Sequence, residues 1–176
     1  MSSIPYLGES TDLVLGQEFL TWLWYKSDTG PVFTSPDGGP DFTVSMEQRI
    51  VVQGGEGDAK ETASVSGVMS ELREARLGLT TGKQVTRALV RFSREPEEWQ
   101  MTLKAADFSF GSLKTPTVEK DSQDDDPDAL FLEKVHLTEI CLALFDVVYA
   151  AFLDVRLSPA WEGEAKNIRE WAAREA

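Results

Sequence analysis

The sequence predicts an α+β fold in which antiparallel β-hairpins pack with helices. Three observations carry this. Residues 71–92, ELREARLGLTTGKQVTRALVRF, pass from helical spacing through a glycine-bearing turn into a run rich in Val, Thr, Leu and Phe. Residues 99–108, WQMTLKAADF, supply a second strand pattern, joined to the first by a turn at Glu95-Pro96-Glu97-Glu98. Residues 129–156 then form the longest helical pattern, apolar around most of its girth. The predicted architecture has an N-terminal aromatic helix, a middle helix and a long C-terminal apolar helix around the hairpins.

Taken in order, residues 1–12 are a polar arm, and residues 13–176 form one domain. The spacing of Phe19, Trp22, Leu23 and Tyr25 predicts a helix over 13–26 with a wide aromatic face. Such a face packs a core or stacks nucleotide bases, and core packing is the expectation because aromatics bury the most area. Residues 27–40 hold three prolines and three glycines and predict a loop. Strands are predicted at 42–46, 49–53 and 61–67, with Gly54-Gly55-Glu56-Gly57-Asp58 as a hairpin turn. That turn carries two acids and lacks a following Lys-Ser/Thr, so phosphate binding there is not expected.

The middle helix covers 71–79, where Leu72, Ala75, Arg76 and Leu79 share a face. In the strand that follows, alternation puts Val85, Arg87 and Arg91 on one face and Thr86, Ala88, Val90 and Phe92 on the other. Residues 110–118 are an irregular apolar exit, and 119–128 an acidic linker. The linker lacks the order of acids, glycine and distal Glu of an EF-hand, so a solvated segment is expected, with Asp126 or Asp128 capping the next helix. In the long helix the polar positions His136, Glu139, Asp146 and Asp154 fall roughly on one narrow seam. Glu139 and Asp146 interrupt the apolar run, which argues against a bilayer span. A helix so apolar either fills the core or forms an oligomer interface, for which Ile140, Leu144, Phe145, Val148 and Phe152 are the candidates. Pro159 ends it, and residues 161–175 close the chain as an amphipathic helix burying Trp161, Ala165, Ile168 and Trp171 or Ala172.

The 176 residues carry a net charge of −13. Over most of the surface this opposes attraction to DNA or to anionic membrane and favours solubility or a basic protein partner. The single cysteine, Cys141, excludes an intrachain disulfide. No signal peptide is read at the start, so a cytoplasmic location is expected. His136 and Cys141 stand five apart on one helix, a spacing that suits neither a catalytic dyad nor a two-ligand metal grip. No catalytic residue, metal site or cofactor is assigned, and the chain is expected not to be an enzyme.

The basic residues are more informative. Between Arg73 and Lys104 seven cations face four acids, a local excess inside an acidic chain. Lys83, Arg87, Arg91, Arg94 and Lys104 are therefore the candidate DNA-binding residues, strand-borne arginine being well shaped for phosphate. The alternative is cross-strand pairing of these arginines with the chain's own carboxylates.

The order EFLTWLWYKS, ELREARLGLTTGKQVTRALVRF, WQMTLKAADFSFGSLKTP, acidic linker and closing apolar helix resembles the C-terminal half of the RdgC family, over residues 15–156. GKQVTRALVRF with its partner strand and the EFLTWLW helix carry most of the likeness. RdgC-like proteins are recombination-associated, nucleoid-linked bacterial proteins that bind duplex DNA without marked sequence preference, as ring-shaped dimers. The resemblance implies a non-enzymatic, DNA-associated α+β protein, nucleoid-associated and oligomeric.

Overall fold

The computed structural model describes residues 15–54, 61–65, 76–81, 83–116 and 127–174. It is an α+β structure. Helix α1 (Gly16–Asp28) is followed by strands β1 (Val32–Phe33), β2 (Phe42–Gly54) and β3 (Glu61–Val65). Residues 76–78 are helical and pass into a 3-10 turn, Leu79–Thr81, the described end of the predicted middle helix. Then come β4 (Lys83–Arg94), β5 (Glu97–Lys104), β6 (Phe110–Lys114), α2 (Pro127–Arg156) and α3 (Trp161–Ala173). The 54–58 turn, the 119–126 linker, Arg73 and the 1–12 arm fall wholly or largely outside the described residues.

The sheet is antiparallel, in the order β1-β2-β4-β5-β6, and β3 pairs with β2 as well. β1 takes the start of β2 and β3 takes its end. The two strands expected at 42–46 and 49–53 are one long strand, with register shifts against β4 around Gln48. Residues 110–114, expected to be irregular, pair with β5 as an edge strand. Short elements of this kind carry too few residues for alternation to be visible.

The helices cover one face of the sheet. Phe42, Val44, Met46, Ile50 and Val52 of β2, Ala88, Val90 and Phe92 of β4, and Trp99, Met101 and Leu103 of β5 are buried in one core. α1 lies on β2 and β4 and buries Phe19, Leu20, Trp22, Leu23 and Trp24. Its aromatic face is core: Phe19 meets Phe145, Tyr149 and Phe152 of α2, and Trp24 meets Trp171 of α3 edge-on. α2 reaches the sheet at β5, where the Trp99 indole N–H donates to the Leu137 carbonyl at 2.9 Å and the Cys141 thiol lies 3.8 Å from Met101 Sδ. By length and composition α2 could cross a bilayer, and part of its apolar surface, including Leu144, Val148 and Phe152, is packed in the core. Pro127 opens it, at the one helical position where a missing N–H is harmless.

One irregularity changes which residues face which way. Val51 lies opposite Arg87 and Val52 opposite Val85, so β4 carries one extra residue at Thr86. Such a bulge reverses the alternation on its far side. Val85, expected beside Arg87, therefore turns inward, and its N–H donates to the Thr21 hydroxyl of α1 at 3.3 Å.

Candidate functional site

The face of the sheet away from the helices holds the remaining cations. Arg87, Leu89, Arg91 and Ser93 of β4 alternate with the core residues Ala88, Val90 and Phe92, and Leu89 is itself buried, at 7% exposure. Opposite them on β5 stand Lys104, Thr102, Gln100 and Glu98. Lys114 of β6 pairs with Gln100, which puts it on the same face. Among the residues of β4, β5 and β6 whose side chains are described, four cations thus share a sheet surface with one acid, Glu98. The face is about 14 Å from Arg87 to Arg91 and about 10 Å from β4 to β6.

Arg87 and Lys104 are direct cross-strand partners, and both are exposed. Like charges set opposite each other destabilise a sheet. Among the described residues neither has a carboxylate within ion-pair distance, although Lys104 helps the hydrogen bonds from Ser109 to hold the Asp107 carboxyl below its ordinary range. Arg91 is less open: its Nε lies 3.0 Å from Glu98 Oε1, and Nη2 donates to Gln100 at 3.3 Å. Exposed pairs of this kind contribute under about 1 kcal/mol, so exchanging Glu98 for another anion costs little. For Lys83, only the backbone at the start of β4 is described.

Arg94 does not belong to this face. It follows Phe92 by two residues and so turns to the helix side, where it is only 5% exposed. Nη1 donates to both carboxylate oxygens of Asp37 at 2.8 and 2.9 Å, Nε donates to Glu97 at 3.0 Å, and the guanidinium stacks 5.1 Å from the Trp99 ring. A guanidinium so engaged cannot meet a phosphate without breaking its own contacts. It staples the loop after β1 to the β4–β5 turn. Gly39 lies close beneath it: a Cβ there would stand 2.7 Å from Arg94 Nη1, so a larger residue would have to displace the guanidinium.

The Asp37 carboxyl is held below its ordinary range, first by the hydrogen bond from Arg94 and then by the Gly39 N–H. A depressed folded-state value stabilises the fold above the unfolded value of about 3.9 and loses that contribution as pH falls through the folded one. Asp37→Asn is therefore expected to lower the denaturation midpoint at neutral pH. The difference from wild type should shrink as pH drops below about 4, when melts are followed across that range. A difference that persists unchanged at acid pH would contradict this.

The other candidates are placed as follows. Leu144, Val148 and Phe152 have no exposed surface and Phe145 is buried, so these four cannot form an oligomer interface in this fold. They point at α1 and the sheet because a helix apolar all round carries no marker of which side faces out. Ile140 is half-buried. His136 is exposed. Burial pushes the Cys141 thiol up to about 12, which leaves no thiolate at neutral pH. Among the described residues no group of His, Cys, Asp or Glu could hold a metal ion. Lys114 was not singled out from sequence, since its place depends on β6 being a strand. Comparison with family models, with curated proteins and with solved structures found no match for this chain.

Proposed function

We propose that the chain is a non-catalytic, RdgC-like accessory protein that binds duplex DNA without sequence preference, through the open face of its sheet. The observation that carries this reading is the Arg87–Lys104 pair. Two like charges directly opposite each other, both exposed, are unfavourable unless an anion lies between them. Arg91 and Lys114 extend the cationic surface to a size that suits a phosphate backbone. A flat strand surface with no shaped cleft offers positioning contacts and no base readout. The segments that carry the RdgC resemblance, EFLTWLW and GKQVTRALVRF, are the helix and strand that build and back this face.

The small number of cations limits the affinity. Four phosphate contacts give a slope of log K against log salt no steeper than about −3.6, and the acidic remainder of the molecule opposes approach. Binding is expected at low salt and should be lost by physiological salt. The test is a gel shift with a duplex of arbitrary sequence, comparing wild type with Arg87→Glu. The substitution places a carboxylate opposite Lys104, so it should weaken retardation several-fold and also raise thermal stability by a few tenths of a kcal/mol. Arg94→Ala should destabilise the fold, yet leave retardation by the remaining folded protein unchanged. No retardation by wild type at high micromolar concentration in low salt would overturn the reading. So would equal retardation by Arg87→Glu.

A further inference from the structure

α2 extends beyond the body that its second half packs against. Residues 127–136 are exposed except for the half-buried Leu130, a run of about 15 Å of helix. On it Phe131 is 65% exposed, Leu132 64% and Val135 38%, and two turns beyond Val135, Leu142 is 46% exposed. Phe131, Val135 and Leu142 follow one another at intervals of four and seven. That is the spacing of seam positions in a two-stranded coiled coil, kept here for less than two heptads. The intervening seam position is Thr138, whose hydroxyl already donates to the Lys134 carbonyl at 2.8 Å, so it presents its methyl group without an unmet hydrogen bond.

We propose that this seam pairs with the same seam of a second copy of the chain, the two α2 helices running parallel. The charges beside the seam select both the occupant and its direction. Lys134 lies along one edge and Glu139 along the other, five residues further on, and both are exposed. Five residues is the offset at which the flanking positions of two parallel helices meet, so each Lys134 faces the partner's Glu139 twice around the two-fold axis. In an antiparallel pair like edges meet. The edge that carries Glu139 and Asp146 would then face itself, acid against acid. The parallel arrangement therefore sets Lys134 against Glu139, where the antiparallel one sets acid against acid.

The contact is small against the roughly 1,200–2,000 Å² of a stable interface, so a reversible dimer is expected. It involves none of the residues buried in the core, and it leaves the outer face of the sheet free on each copy.

Sedimentation velocity from low micromolar to near-millimolar concentration tests the proposal. Wild type should shift from monomer to dimer over this range. Phe131→Glu should remain monomeric, and because Phe131 is on the overhang the variant should melt like wild type. Lys134→Glu should weaken the dimer, and adding Glu139→Lys should restore it. Leu142→Cys should form a disulfide-linked dimer under mild oxidation, since the parallel two-fold sets each Leu142 against its own copy. In an antiparallel pair centred on the seam the two would lie far apart. A wild type that stays monomeric throughout overturns the proposal and leaves the stripe to some other partner. A dimer that survives Phe131→Glu overturns it by placing the interface elsewhere. Failure of both the charge swap and the cross-link overturns the parallel direction.

Discussion

Gly16→Ala is expected to destabilise the fold by about 3 kcal/mol or more, at the upper end of what overpacking does. A Cβ at position 16 would stand 1.8 Å from the Ala105 carbonyl oxygen, 2.6 Å from its carbon and 2.9 Å from its Cα. All three are backbone atoms, so no rotamer change relieves the clash. Ala105 cannot retreat either. It is buried in the core, and its N–H donates to the Thr86 carbonyl at 2.8 Å, at the bulge that sets the facing of β4. The start of α1 would have to lift away from the β5–β6 connection, and with it Phe19, which stacks edge-on with Phe108 there. The same substitution at Gly163, inside α3, meets nothing within 4 Å and should stabilise by up to about 1 kcal/mol through helix propensity. Urea denaturation of the pair reads both signs. A mild effect at Gly16 would mean that the helix and the turn are less closely packed than described.

Arg156→Met is the second large effect, expected to remove about 3–5 kcal/mol. Glu18 sits on α1 with a fully buried side chain, and Arg156 Nε at the end of α2 donates to its Oε2 at 2.6 Å. Glu18 Oε1 is buried with no hydrogen-bond partner, so Arg156 is the main compensation for that charge. The guanidinium also stacks 5.3 Å from the Trp161 ring, tying α1, α2 and the start of α3 together. Removing Arg156 strands a carboxylate in the core. Removing both, in Glu18→Met with Arg156→Met, should recover most of the loss, because an apolar pair of similar volume has no desolvation to offset. Arg156→Lys keeps the charge but not the planar stack and should fall between. A double mutant no more stable than Arg156→Met would show that the pair is not coupled in this way.

Periodicity made the larger elements legible. The aromatics of α1, the β4–β5 hairpin, α2 and α3 all announce themselves by spacing, and their ends fall within a few residues of the predicted ones. The site was legible in part. Arg87, Arg91 and Lys104 do share the outer face, as alternation predicts. Arg94 could have been separated from them by the same alternation, since it shares the parity of Phe92. Its carboxylate partner Asp37, fifty-seven residues earlier in a loop, could not have been found from spacing. The inward turn of Val85 depends on a bulge, a register event between two strands that neither strand's own sequence marks. The side of α2 that faces out was equally hidden, because hydrophobic residues surround most of that helix. The apolar seam at Phe131, Val135 and Leu142 emerges only once the core has claimed Leu144, Val148 and Phe152.

The role assigned to the outer sheet is tested most directly by following backbone amide shifts as a short duplex is added at low salt. The account predicts that amides of residues 87–91 and 100–104, with Lys114, move together and return when salt is raised. Shifts that cluster on the helices instead, or a spectrum that duplex leaves unchanged, would contradict it.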